Sequence, residues 1–344
     1  MTNKYRISAC AAAIMLALSG CGAGDAPQSG GRWKTPLHQD HVLTGKIWRT
    51  SAGRYATVGE IYAAMKKADF VLIGEKHDNA DHHFLQAKLI SEITAYRRSA
   101  AVVFEMLTES QQAALDAHLV LHPADADGLG AAVGWQDSGW PDWEIYKPIA
   151  EQALNGGMAM LAGGLDRETT KEIARQGPNA LGEDRAARMM LDMPITEDMR
   201  AEMREEIFQS HCRQLPEPML DPMVSVTLAK DAVMADRMIE AREAPENDLS
   251  VLIAGGGHVR KDWGVPMHLA RRVPGSRIVS IGLLEVDKDT TDPTAYAGRF
   301  GSALPFDFVW FTPRVDDDDP CEVFAEQLRR IREQKQDEGE AGAN

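Results

Sequence analysis

Three apolar runs in this chain stop at the same kind of residue. Val71-Leu72-Ile73 runs into Gly74-Glu75-Lys76-His77, Val102-Val103-Phe104 into Glu105, and Val251-Leu252-Ile253-Ala254 into Gly255-Gly256-Gly257-His258. An unbroken apolar run of strand length is the signature of a parallel strand, covered by helices on both faces. In sheets of that kind ligands bind outside the carboxyl ends of the strands. Three strands would therefore bring Glu75, His77, Glu105 and His258 to one edge of one sheet. Glu75 and His77 are two apart, so in an extended segment they leave on the same side. Imidazole with carboxylate suits zinc, manganese or iron. The blander alternatives are that Glu75 caps the next helix, His77 packs as a satisfied polar residue, and Glu105 pairs with Arg167, since a buried carboxylate is costly alone.

The rest of the chain fits an α/β fold, a mostly parallel sheet with flanking helices and a smaller inserted helical subdomain. Candidate strands are Phe70–Gly74, Ala101–Phe104, Met158–Ala162, Ser250–Ala254, Arg277–Ile281 and Phe306–Phe311, with a short N-terminal hairpin around His41–Trp48. Leu85, Leu89, Ile90 and Ile93 form one stripe of a helix from Asn79 to Tyr96. Thr108 to Gln111 has capping-box spacing, and a further helix runs from about Pro148 to Leu154 before Asn155-Gly156-Gly157. Such alternation predicts parallel crossovers. The pattern breaks at 179–244, a strand-free stretch with helices expected at Glu183–Leu191, Glu197–Gln209 and Met219–Glu243. The α/β domain would then comprise 41–178 and 245–330, with a flexible tail at 331–344.

The start of the chain reads as an address. Lys4 and Arg6 precede a short apolar segment, Ala9–Leu18, and then Leu18-Ser19-Gly20-Cys21. The segment is too short to span a bilayer, which needs ~20 residues, and has an export-signal layout. Small residues before a cysteine look like a bacterial lipobox, giving a signal at 1–20, a palmitate-type lipid on Cys21 and a linker at 21–40. Gly22, rather than aspartate, after the cysteine resembles sorted lipoproteins of bacteria with two membranes, which implies the outer membrane, periplasm-facing or surface. Without residues 1–20 the chain carries 52 acids against 35 bases, a net −17. That excludes nucleic acid, which needs a basic footprint, and leaves membrane attachment to the anchor. Of four cysteines, Cys10 leaves with the signal and Cys21 carries lipid. Cys212 and Cys321 remain as a pair that an oxidising compartment allows to form a disulfide.

Other residues compete for a role. His82 and His83 lie in the first turns of the helix after Asn79, one placed to face the site and the other solvent. His211, beside Cys212, is a candidate ligand or base reaching down from the insert. Nine of the sixteen methionines fall between Met189 and Met238; Met fills cores and also serves surfaces that take large apolar ligands. A flat macrocycle would suit such a surface, with Tyr or His on its iron. Trp135, Trp140, Trp143 and Tyr146 within twelve residues suggest the wall of a pocket. Asp316–Asp319 reads as a solvated turn, because the alternation and glycine of a calcium loop are missing.

Seven segments in order resemble the ChaN family of haem-binding uptake lipoproteins in the Tiki superfamily. They are Gly74–Asn79 with His82, His83 and Gln86; Phe104–Leu107; Trp140-Pro141-Asp142-Trp143 with Tyr146 and Pro148; His211-Cys212; Lys230-Asp231 with Met234-Ala235; Gly257–Pro266; and Asp319-Pro320-Cys321. Val226–Ala229 departs from the more polar Gln-Arg type of segment expected there. The resemblance implies haem binding linked to iron uptake, with haem between two subunits of a homodimer and an outer-membrane haem receptor as partner. It implies a tyrosine iron ligand, for which Tyr146 is the candidate, with His211, His82, His83 and Arg260 as further haem-contacting residues. Distant Tiki-type relatives suggest instead a metal-dependent peptidase or esterase, with Glu75, His77, Glu105 and His258 as both catalytic and metal-holding residues. In the plainest reading, a lipid-anchored scaffold, the same residues only cap helices.

Overall fold

The computed structural model describes residues 33–96, 99–319 and, within 321–330, all but 324, 327 and 328. The signal segment, Cys21 and the 331–344 tail lie outside the described residues. Eight strands form one sheet: β1 Ile47–Arg49, β2 Arg54–Ala56, β3 Phe70–Glu75, β4 Ala100–Thr108, β5 Ala159–Gly164, β6 Leu249–Gly255, β7 Ile278–Glu285 and β8 Phe308–Thr312. Their spatial order is β2-β1-β8-β7-β3-β6-β4-β5. From β8 to β5 every pairing is parallel, while β1 runs antiparallel to both β2 and β8. The helices are α1 Val58–Met65, α2 Ala80–Ala95, α3 Gln112–Leu121, α4 Ala126–Ala132 and α5 Trp143–Asn155. They continue with α6 Arg167–Gln176, α7 Glu183–Arg188, α8 Glu197–Ser210, α9 Leu220–Glu243 and α10 Val265–Arg272.

The apolar runs become the central strands because both faces are covered. Val71, Ile73, Val102, Phe104, Val251 and Ile253 pack with Leu85, Leu89 and Ile90 of α2 and Ile149 of α5. Phe70, Leu72, Val103 and Leu252 pack on the other face with Met234, Ala235 and Met238 of α9 and Leu269 of α10. The chain leaves β4 toward β5 and leaves β6 toward β7, in opposite directions along the sheet. The crevice between β4 and β6 is thus the switch point where an open α/β sheet binds ligands.

Several expected boundaries move. The N-terminal hairpin is β1–β2, from Ile47 to Ala56, rather than 41–48; residues before it form turns. β4 runs on to Thr108, with a register irregularity against β5 after Phe104, so Glu105 lies within the strand instead of ending it. The Pro148 helix begins at Trp143, capped by the Asp142 side chain on the Glu144 amide, and carries Pro148 internally. Asp317–Asp319 are exposed, as a solvated turn requires.

The 179–244 stretch is helical and strand-free, yet it is not simply set apart. α9 packs on β4, β5 and β6. Its own middle also carries a satellite core of Val226, Ala229 and Val233 with Ile173 and Met189, and its start carries another with Met203 and Ile207 of α8. Met189, Met203, Met234 and Met238 are buried filler, whereas Met193 and Met219 are exposed. Cys212, after α8, is disulfide-bonded to Cys321, with Cα atoms 5.3 Å apart.

Candidate functional site

Gly74 makes the site possible. A Cβ there would meet Val259 Cγ2 at 2.3 Å and Gly256 Cα at 2.9 Å, so only glycine lets the Gly255–Val259 turn close over β3. Beyond Glu75 the chain turns into α2. Asn79 caps that helix, its Oδ1 accepting from the Asp81 and His82 amides, while its Nδ2 donates to Glu285 Oε1 at 2.8 Å. The helix is therefore capped by Asn79, which frees Glu75 for other work.

Glu75 is buried and gathers three neighbours. His77 donates from Nδ1 to Oε1 at 2.9 Å, and the Tyr146 hydroxyl donates to the same oxygen at 2.6 Å. His83 Nδ1 stands 3.1 Å from Oε2, but its directed hydrogen bond goes to Gln86 Oε1, leaving Oε2 with an ionic contact only. Burial alone would raise the Glu75 pKa, yet the His83 and His77 rings hold it well below the usual carboxylate range. Burial opposes charge on His77 and His83 as well, and Glu75 outweighs it, raising both.

A second group centres on His258. Its Nδ1 lies 2.6 Å from Asp231 Oδ1 and its Nε2 3.1 Å from Glu105 Oε1. A carboxylate on each nitrogen makes both nitrogens donors, which is the imidazolium form. Burial works against that charge, but Glu105 and Asp231 push His258 up to about 10. Glu105 also accepts the Gly255 amide at 2.7 Å; against the upward push of burial, His258, His77 and this amide hold it near 2. Burial pushes Asp231 up to about 6 despite His258. The two groups meet over Gly255: a Cβ there would lie 2.9 Å from His77 Nε2 and 3.6 Å from Glu105 Oε2.

The four strand-end residues thus come together, joined by Asp231, His83 and Tyr146. They do so as carboxylate–imidazole pairs. Metal binding would displace the protons that these imidazole nitrogens direct at the carboxylates. Among the described residues no three His, Cys, Asp or Glu side chains converge as a metal-holding group. Glu75, His77, Glu105 and His258, the residues expected to hold zinc, manganese or iron, are brought together here as carboxylate–imidazole contacts.

The expected haem-contacting residues fare unevenly. His82 is fully buried; its Nδ1 accepts the Lys76 amide and its Nε2 donates to Thr312 Oγ1, so burial keeps it neutral, with its pKa down at about 3. Neither His82 nor His83 faces solvent, because α2 is packed between the sheet and α5. Arg260 is buried too, stacked 3.5 Å over Trp263 and paired with Glu206 and Asp262, a structural cation rather than a ligand contact. His211 hydrogen-bonds back to the Ile207 carbonyl at 2.7 Å at the end of α8. Tyr146 is 0% exposed, and burial together with Glu75 raises its pKa well above the ordinary phenol range. Tyr146, the tyrosine that the resemblance implies as iron ligand, is here an enclosed phenol that donates to Glu75.

At the mouth stand His77, whose side chain is 34% exposed against 18% for His258 and 0% for His83, and the partly buried Trp140, with ring centroids 4.7 Å apart. Asp231 went unassigned in the sequence, whereas Trp140 lines the mouth as its aromatic segment suggests, and of His82 and His83 it is His83 that faces Glu75. Asp231 stands in a segment that carried the resemblance, which was the only signal for it.

An α/β sheet with a buried acid–imidazole cluster at its switch point defines the class of protein. The sequence model described as "Haem-binding uptake, Tiki superfamily, ChaN" matches residues 61–269, and the chain belongs to that family. Among solved structures it is similar to ChaN of Campylobacter jejuni, described with cofacial haem binding, at 22% identity and TM-score 0.59, with 77% of this chain and 95% of that one covered. An erythromycin esterase mutant in its open conformation aligns at 12% identity and TM-score 0.42, covering 80% of this chain and 99% of that one. No curated protein matches the chain significantly.

Proposed function

We propose that this protein binds haem at the mouth of the switch-point crevice, as part of haem or iron uptake. Family membership supports the ligand. The observation that carries the location is the exposure of His77, the most open of the three cluster imidazoles. Glu75 holds its Nδ1, as a carboxylate behind an iron-bound histidine fixes the ring and its tautomer. Haem would supply a redox-active iron; the chain's part is to seat the macrocycle and orient the His77 ring. Lipid on Cys21 would tether the protein to the outer membrane, and two copies would share haem between them before passing it to or from a receptor. Among the described residues no helix is long and apolar enough to cross a membrane. Haemin added to purified protein should give a shifted, saturable Soret band; an unchanged haemin spectrum overturns the reading.

A second reading rests on the Asp231–His258–Glu105 line. An imidazolium clamped between carboxylates can donate a proton, and the carboxylate of the second pair beside it can accept one, in ester or peptide hydrolysis without a metal. Chelator-resistant cleavage of chromogenic esters or peptides, abolished in Glu105→Gln, is the expected sign. No turnover over a broad panel, or equal turnover in the variant, removes this reading.

A further inference from the structure

Trp140 is placed unlike the other rings of its segment. Trp135 is buried between Trp143 and Tyr146, at centroid distances of 4.8 and 4.9 Å, and its Nε1 donates to the Pro141 carbonyl at 2.8 Å. Ser138 braces the same loop, donating to the Trp135 carbonyl at 2.6 Å and accepting the Trp140 amide at 3.2 Å. Gly139, at φ +83°, supplies the left-handed residue the turn needs. The loop is therefore fixed from beneath, and what it presents is the indole of Trp140 at the rim, tilted 57° against the half-exposed His77 ring. A flat apolar ring held rigidly beside a charged, buried cluster loses little freedom when another flat ring settles on it.

We infer that Trp140 is the stacking platform for the face of a tetrapyrrole, so that the site recognises the macrocycle itself, with or without iron. This rests on the haem reading, and it goes further: the ligand class is planar porphyrins, metal-free ones included. Iron ligation alone would demand the metal; stacking on Trp140 does not.

The test is titration of the full-length protein with haemin and, separately, with metal-free protoporphyrin IX, followed by absorption and porphyrin fluorescence. Wild-type protein should bind both. Trp140→Ala should weaken both by about tenfold or more, the factor that one stacking contact plus its buried area carries. Trp140→Phe, which keeps a ring at the rim, should restore most of the loss. Binding of haemin but not of protoporphyrin IX by the wild type overturns the inference while leaving the haem reading standing. Unweakened binding of both ligands by a folded Trp140→Ala protein overturns it in the same way. Failure of the wild type to bind either ligand removes both. If Trp140→Ala does not fold, the wild-type comparison and the Phe variant still decide: tenfold loss in Trp140→Phe, where a ring remains, would count against stacking.

Discussion

Single residues here are decided by whether a buried polar group finds a partner. His258 finds two carboxylates and stays charged; His82 finds an amide and a hydroxyl and stays neutral. His268, 3% exposed on α10, is pushed down to about 3, first by burial and then by Arg271 and Arg272. In the unfolded chain the same ring takes up a proton below about 6.5. The neutral folded form therefore contributes stability above that value, and it is lost as the pH falls from 6.5 toward 3, at about 1.4 kcal/mol per pH unit. Exchanging it as His268→Gln should flatten the acid limb: the fall in Tm between pH 7 and pH 5 should be smaller than in the wild type by scanning fluorimetry. An equal or steeper fall would contradict a neutral buried His268. His258 acts at the other end, its stabilisation being complete below about pH 6.5 and lost as the pH rises through about 10.

At the scale of elements the site depends on strand ends that approach one another closely. Gly74→Ala would drive a methyl group against Val259 and the Gly256 backbone. The turn that carries His258 would have to lift, at a cost of about 1–3 kcal/mol. Chemical denaturation should show that loss, and the histidine NMR signals should show His258 separating from Glu105; a variant as stable as wild type would contradict the close packing. The central strands were legible because two-sided burial writes an unbroken apolar run, whereas the close approach over Gly74 shows only in the structure. Helices hid more. Asp231 sits mid-helix among polar and apolar residues alike, and nothing local says that its face of α9 meets His258. His82 and His83 suggested one inward and one outward ring, since α2 has a solvent face; α5 covers that side. Arg260 is a haem contact only as the resemblance implies it, and its pairing with Glu206, 54 positions away on α8, leaves no local mark.

Across the whole molecule, α9 is the element that makes one body of sheet and insert, packing on β4–β6 at one end and on α8 at the other. The Cys212–Cys321 bond adds a covalent tie between the insert and the segment after the acidic turn, closing a separation of 109 residues. This frame holds His77 and Trp140 rigidly at the mouth and keeps Tyr146 enclosed behind them. In the proposed reading haem meets the protein through the exposed imidazole, and the buried phenol positions Glu75. The most direct measurement is the haemin absorption spectrum of His77→Ala and Tyr146→Phe beside wild type, with Tm confirming that each is folded. The account predicts that His77→Ala loses the shifted Soret band, whereas Tyr146→Phe keeps it. Loss of the band in Tyr146→Phe with its retention in His77→Ala would contradict it.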